Sequence, residues 1–374
     1  MVSRPWLRWL VPLAAVLAVV ATTLVAGSAS ADEKLPPRSA EQLLVDLQEA
    51  DVDGLTGMVE QSADLGIPAV PGVSEQGSGF SSLISGTHRL RVAYAAPSSS
   101  KVSLLGDLSE SSITRNGDDV WTWSSKDNEV THATIDPEKT GDPDANGGAD
   151  RPKDLPADAP KTPQEAAQRI LAESADTTDV SVATDTRVAG RQAYELVLQP
   201  KDERSLISSV RIAIDGIEHV ALRVQVFAGE PSKPVGEIRF TEVDFAVPPT
   251  SEFEFTPPAG AKLTEVQPED HGTVSEADRE AAEKAREQAE PEVVGEGWTS
   301  VLVGRLPADE PSSSDRGPDD QMDLQTYLAQ LPEVSGPWGS GRLLAGTAFS
   351  VVITDDGRYA AGSVAPAMLY DALG

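Results

Sequence analysis

The chain has 374 residues, a formal net charge of −30 and no cysteine. Its length allows one large domain with a smaller one, and its negative charge argues against nucleic acid as a partner because phosphate would be repelled. The lack of cysteine excludes disulfides, thiolate catalysis and cysteine-held zinc, and a total of 4 histidines argues against a multi-histidine metal site.

The first 31 residues have the three parts of a secretory signal. Arg4 and Arg8 form the positive part, an apolar run follows, and residues 29–31 offer small side chains for cleavage. The alternative is an uncleaved membrane anchor, because the uncharged run over 9–31 is long enough to span a bilayer. Both alternatives predict an extracytoplasmic chain, secreted across the cytoplasmic membrane and either released after Ala31 or anchored by the apolar segment.

The next segment predicts one helix followed by a strand. Ser39 and Gln42 have the spacing of a capping box. Leu43 and Leu47 recur behind them at helical intervals. Gly54 then opens the first strand.

Two blocks of strands are predicted from residues that alternate between apolar and polar. In the first block Leu90, Val92 and Tyr94 share one face of a strand, and Trp121 and Trp123 share one face of another. The second block repeats the alternation in YELVLQP, RIAID and RVQVF. Both blocks therefore indicate hairpins with one apolar face.

Between the blocks, residues 136–161 are mostly Pro, Gly, Asp and Lys, which predicts a solvated loop. Thr162 and Pro163 then occupy the cap and the first position of a predicted helix. About nine to ten strands with helices at only two places indicate an α+β fold, a large curved antiparallel sheet covered by a few helices.

Beyond the sheet, a highly charged segment has no apolar face, which predicts a solvated helix or linker. The last part predicts a small αβ unit with a hairpin turning at 355–357 and a short C-terminal helix. The predicted organisation is a signal peptide or anchor over 1–31, a large sheet domain over 32–265, a charged helical linker over 266–292 and a small αβ domain over 293–374.

The sequence contains no hydrolase, nucleotide-loop or metal-site motif. Asp118-Asp119 and Asp355-Asp356 lie in predicted turns, where Asp is favoured for bonds to its own backbone. His132 is expected on a strand surface as a structural or exposed residue. We therefore expect no enzymatic activity, no cofactor and no metal, with acidic pairs brought together by the sheet as the alternative.

Five segments of the predicted sheet follow one another in a recognisable order. They are RNGDDVWTWSSKDNEVTHATI, VAGRQAYELVLQP, VRIAIDGIEHVALRVQVF, IRFTEVDF and FEFTPPAGAKL. Together with the opening helix, this series resembles the LolA/RseB-like superfamily, whose F-x-F-x-P-P-x-G ending the last segment matches. The resemblance covers residues 35–265. It implies an unclosed β-barrel with helical lid segments and a hydrophobic cavity for lipid chains.

The resemblance implies a non-enzymatic carrier or sensor that binds a lipid or an acylated lipoprotein near a membrane surface. Its relatives include outer-membrane lipoprotein carriers and lipid-transfer lipoproteins of actinobacteria. The alternative is a regulator of the RseB/MucB kind, which binds an anti-sigma factor in envelope-stress signalling, with residues 293–374 as its second domain.

The cavity is expected to be lined by apolar side chains on the inferred strand faces. The candidate ligand-binding residues are Tyr94, Trp121, Trp123, Leu196, Leu198, Ile212, Ile214, Leu222, Val224 and Phe240. The alternative for the two tryptophans is that they pack in an ordinary closed core.

Overall fold

Helix α1 spans Ala40–Glu49, as the capping-box spacing predicts. Ser39 Oγ accepts a hydrogen bond from the Gln42 amide at 3.3 Å, and the Ser39 amide donates to Gln42 Oε1 at 3.0 Å. Leu43 and Leu47, one turn apart, are fully buried. The helix therefore packs through one apolar stripe.

The computed structural model describes residues 34–66, 80–135, 162–164, 175–229, 233–266, 291–306 and 330–374. Four predicted features lie wholly or mainly outside these ranges. They are the signal or anchor over 1–31, the loop over 136–161, most of the helix over 162–176, and the charged linker over 266–292.

Within the described residues, the large sheet has thirteen strands. They are β1 (Gly54–Ala63), β2 (Gly86–Ala95), β3 (Ser99–Leu105), β4 (Glu110–Asn116), β5 (Asp119–Ser124), β6 (Glu129–Thr134), β7 (Thr178–Val182), β8 (Thr186–Val188), β9 (Arg191–Pro200), β10 (Ile207–Asp215), β11 (Ala221–Ala228), β12 (Gly236–Asp244) and β13 (Lys262–Val266).

Its strand order is β13-β6-β5-β4-β3-β2-β1-β12-β11-β10-β9-β7, with β8 beside β9. Two antiparallel meanders therefore meet where β1 pairs with β12. The sheet is not closed, since its two ends, β13 and β7, do not pair with each other. The predicted α+β class with a large unclosed sheet is confirmed. The predicted strand count was too low, and β13 pairs with β6 in parallel rather than antiparallel.

A second sheet follows in the chain, with six strands in the part that the structure describes. Its strands are β14 (Glu292–Val294), β15 (Val301–Arg305), β16 (Glu333–Gly336), β17 (Gly339–Ala345), β18 (Ser350–Thr354) and β19 (Arg358–Gly362). Helix α2, Pro366–Leu373, buries Leu369 and Leu373 against Val301 and Val352 of this sheet. The predicted hairpin and C-terminal helix are thus present.

The two sheets are joined by hydrogen bonds. The Leu206 amide donates to Ser363 O at 2.7 Å, beside an isolated bridge between Ser205 and Val364. Trp298 Nε1 donates to Thr178 Oγ1 at 2.7 Å. The small sheet is therefore attached to the large sheet beside the first residues of β7 and β10.

Within the described ranges, no helix has the length and apolar character that a bilayer crossing requires.

Candidate functional site

One face of the large sheet, here called the apolar face, carries eight of the ten candidate residues. The pairing register shows this, because directly opposed residues point to the same side. Val59 faces Leu90 and Phe240 on its two neighbouring strands. In the second meander, Ile212 faces Leu196 and Val224 in the same way.

Seven of these eight residues form a closed core in this structure. Their exposed fractions are 0% for Leu196, Leu198, Ile212, Ile214 and Leu222, 1% for Phe240 and 2% for Val224. A side chain without accessible surface borders no space that admits a water molecule. An acyl chain could therefore reach these seven only if the segments that cover them moved.

Gly57 shows how closely this core is packed. A Cβ atom at that position would lie 2.8 Å from Cε1 of Phe240 and 2.7 Å from the Glu242 carbonyl oxygen. Both distances are shorter than carbon atoms tolerate. The Phe240 ring therefore occupies the room that a side chain at Gly57 would need.

On β1–β3 the apolar face is buried at Val59, Leu90, Val92 and Leu104, and beside them it continues to β5 as a half-buried surface, here called the apolar strip. Tyr94 faces Leu55 across β1 and β2, and Val102 faces Ile113 across β3 and β4. Val120 on β5 completes the strip, and all five side chains keep part of their surface exposed. Five adjacent strands span about 19 Å at a spacing of about 4.8 Å. Tyr94 is the only candidate residue that belongs to the strip. The alternation of apolar and polar residues in β3–β5 could have indicated Val102, Ile113 and Val120 as well.

Trp121 and Trp123 lie on the opposite face of the sheet. They face Thr114 and Ser112 on β4. Ile113, which lies between Ser112 and Thr114 in the chain, points to the other face and belongs to the apolar strip. The ten candidate residues therefore do not line a single hollow.

Residues 245–261, here called the strap, cross this opposite face on the way from β12 to β13. Phe253 in the strap is 2% exposed. The Phe255 ring stacks on Trp121 with centroids 5.3 Å apart. Lys101 Nζ donates to Glu252 O at 3.3 Å and fixes the strap to β3. Trp121 thus forms part of the surface that seats the strap, and the FEFTPPAG segment is the second half of the strap.

The same face is charged over the second meander. Glu195 accepts from Arg211 Nη1 at 3.2 Å and from Arg223 Nη2 at 2.7 Å. Further along, Arg239 Nη2 donates to Glu60 at 2.7 Å. Most of the larger aliphatic residues of these strands point to the other side, while Val197 lies on the charged face opposite Arg211.

An open groove of about 980 Å³ lies between the two sheets. Its apolar lining comes mainly from the small sheet and α2, and acidic side chains outnumber basic ones around it. It is lined by Asp176, Thr177, Lys201, Asp202, Glu203, Arg204, Val294, Gly295, Glu296, Trp298, Thr299, Val301, Met368, Asp371 and Ala372.

Asp202 and Arg204 form one ion pair at this groove, with Arg204 Nη2 donating to Asp202 Oδ2 at 2.5 Å. The hydrogen bond from Arg204 lowers the pKa of Asp202 to about 2. Asp202 therefore stays ionised at the groove throughout the physiological range.

No group of three or more His, Asp or Glu side chains within the described ranges is placed to hold a metal ion. His132 lies on the strap face of β6, on the sheet surface as expected, and its contacts are with Trp121 and two carboxylates.

No family model and no curated protein matches the chain. Among solved structures it is similar to the MucA/MucB complex of Pseudomonas aeruginosa, with 14% identity over 89% of this chain and 96% of that chain, and a TM-score of 0.44. A LolA superfamily protein of Nitrosomonas europaea has 10% identity over 59% of this chain and 99% of its own, with a TM-score of 0.23. Lipoprotein LppX of Mycobacterium tuberculosis has 12% identity, coverages of 53% and 92%, and a TM-score of 0.29. These are proteins of the kinds that the sequence resemblance names.

Proposed function

We propose that the chain is an exported, non-enzymatic protein that binds the acyl chain of a lipid or lipoprotein against its apolar strip. The observation that carries the proposal is the continuity of the apolar face, which is closed over the second meander and at Val59, Leu90, Val92 and Leu104, and half-buried at the five residues of the strip. An acyl chain bound to the strip would therefore extend a hydrophobic core that is already formed.

Hydrophobic transfer supplies the affinity. Each methylene that leaves water for an apolar surface contributes about 0.8 kcal/mol. The strip is apolar at Leu55, Val102, Ile113 and Val120, and Tyr94 brings a hydroxyl that can meet a polar headgroup. The seven closed candidate residues would join the site only in an opened state, in which the segments that cover them move away and the acyl chain enters deeper.

Replacing Ile113 by glutamate is expected to weaken binding of a fluorescent palmitoyl analogue by about tenfold or more, because the chain would have to cover a carboxylate. Leu108→Glu is the matched control, since Leu108 lies on the adjoining β3–β4 turn, is fully exposed at 102% and lies outside the strip. The affinity is read by fluorescence titration, and circular dichroism reports the fold.

Native mass spectrometry of the purified mature protein provides the independent readout. We expect a co-purified lipid that is retained by Leu108→Glu and lost by Ile113→Glu. Absence of analogue binding by the unmodified protein, or equal weakening by both substitutions, would rule out the strip as an acyl site.

The second candidate function is that of a regulator of the RseB/MucB kind, which docks the extracytoplasmic segment of an anti-sigma factor. The groove between the sheets favours it, because apolar side chains beside a row of carboxylates suit an extended polypeptide. This function leaves the strip unused, so the two candidates can be separated by substitution.

Glu203→Arg at the rim of the groove is expected to reduce capture of an anti-sigma factor from the cytoplasmic-membrane fraction at least several-fold, since it reverses a charge at the docking surface. Glu254→Arg, on the exposed side of the strap, is the control with the same charge change. Captured proteins are identified by mass spectrometry. Equal capture by both variants would exclude the groove as the docking surface.

A further inference from the structure

Strand β13 is attached to the sheet in an unusual way. It is the terminal strand, it pairs in parallel with β6, and four of its five side chains are exposed, with only Val266 partly covered. Burial therefore contributes little to its position. Its attachment depends on the backbone ladder and on the side-chain bonds that reach it from β6.

His132 makes the central side-chain bonds at this position. Its Nδ1 lies 2.8 Å from Glu265 Oε2 on β13, and its Nε2 lies 2.9 Å from Asp119 Oδ1 on β5. The imidazole stacks on Trp121 with centroids 3.9 Å apart and planes inclined by 13°. The side chain is 17% exposed, so the ring is held in a fixed orientation between two carboxylates.

The protonation state of the ring follows from this geometry. A neutral imidazole has one N–H donor and one lone pair, whereas an imidazolium has two donors. With a carboxylate at each nitrogen, only the imidazolium can donate to both. A neutral ring would set a lone pair against a carboxylate oxygen and repel one of the two partners.

We propose that His132 is a pH-sensitive clasp that holds β13 more tightly to the sheet while protonated and loosens it on losing its proton. The clasp joins three elements, because β5 supplies Asp119, β6 supplies the ring and β13 supplies Glu265. Its release would uncover the backbone N–H and C=O groups along the edge of β6, which are then available to pair with another strand. This device is independent of what the strip or the groove binds.

The electrostatics support the direction of the switch. Burial lowers the pKa of His132. The hydrogen bonds to Asp119 and Glu265 raise it by more than burial lowers it, so the pKa lies above its usual value of 6.5. For a raised pKa, the stabilisation is fully present below the unfolded value and is lost as pH rises through the folded value. The clasp is therefore closed in acid and opens with rising pH.

The other charged groups around the ring do not take part in this bond. Glu129 on β6 pairs with Lys262 Nζ at 2.9 Å, on the face of the sheet opposite to His132. On the strap, Glu252 is held by Lys101, and Glu254 is exposed. The Lys262–Glu129 pair joins the same two strands without a histidine, which makes it a matched control at the same seam.

The test is hydrogen exchange of the mature protein at a series of values between about pH 5 and pH 8, with protection of β13 corrected for intrinsic exchange. In the unmodified protein we expect protection of Lys262–Val266 to fall roughly two- to five-fold with rising pH, since partly exposed ion pairs are of modest strength. The midpoint should coincide with the titration of the His132 ring followed by NMR. Protection of β9 reports whether the fold as a whole stays intact.

His132→Gln is expected to lose this pH dependence and to show the weaker protection at every pH. Lys262→Met is expected to weaken β13 equally at all pH values while keeping the pH-dependent step. A flat profile in the unmodified protein, or an unchanged step in His132→Gln, would overturn the proposal.

Discussion

Phe240→Ala is expected to lower the free energy of unfolding by about 3–5 kcal/mol, the usual loss for a fully buried phenylalanine. Phe240 is 1% exposed, faces Val59 on β1 and fills the space above Gly57. Its removal leaves a cavity that the neighbouring strands can close only partly, because Gly57 has no side chain to move into it.

Equilibrium unfolding in urea measures the effect, with Leu108→Ala as the control. Leu108 is fully exposed on a hairpin turn, so its truncation should change the free energy of unfolding by less than about 0.5 kcal/mol. The comparison also bears on function. A nearly neutral Phe240→Ala would mean that the space beside the ring is already open, and the closed part of the apolar face would then be a lipid cavity.

The strand faces within each hairpin could be predicted from the sequence, because the period of two is a local property. Leu90, Val92 and Tyr94 do share a face, as do Leu196 and Leu198. The relation between distant strands could not be predicted. It depends on a register carried through every intervening strand, and one residue of offset reverses the face.

The tryptophan pair illustrates this limit. Trp121 and Trp123 share a face, as predicted, but that face is the one opposite to Leu196. Alternation within β5 is equally compatible with either side, since Val120 and Thr122 are also suitable for burial. The deciding contact is with Phe255 in the strap, which lies more than a hundred residues later in the chain.

The strap was the element that sequence patterns concealed. FEFTPPAG alternates like a strand, yet it contains two adjacent prolines, which cannot donate to a ladder. In the structure a short 3-10 turn at Thr250–Phe253 begins the crossing, and the chain pairs again only at β13. A parallel end strand leaves no local signal, because its partner was completed long before in the sequence.

The groove and the contacts between the two sheets could not be predicted from the sequence either. Their contacts, such as Trp298 with Thr178, link residues from separate sheets through single hydrogen bonds. Neither residue belongs to a motif. The small unit could be predicted as secondary structure, whereas its attachment depends on the shape of both surfaces.

Asp215→Ala is expected to lower the free energy of unfolding by about 3 kcal/mol or more, because it removes one partner of a buried ion pair. The Asp215 side chain is 1% exposed and accepts from Arg191 Nε at 2.5 Å and from Nη2 at 2.9 Å. It also accepts from the amides of Ile217 and Glu218 at 3.0 and 2.8 Å. Alanine would leave Arg191 without its counterion and two turn amides without their acceptor.

The same carboxylate predicts a dependence on pH. Burial raises the pKa of Asp215, but the bonds from Arg191 and the turn amides lower it more, so the net shift is downward. A lowered pKa contributes stability that is present above the unfolded value and is lost as pH falls through the folded value. As pH falls, the natural chain should therefore lose a part of its free energy of unfolding that the Asp215→Ala variant does not have to lose.

Asp202→Ala is the control for this comparison. Asp202 also bonds an arginine side chain, Arg204, but the pair lies on the surface, where screening leaves an ion pair little net effect. Urea unfolding at neutral pH and at a series of acidic values should show a large loss for Asp215→Ala and little for Asp202→Ala. An equally small loss for both variants would mean that the turn between β10 and β11 does not depend on its buried carboxylate.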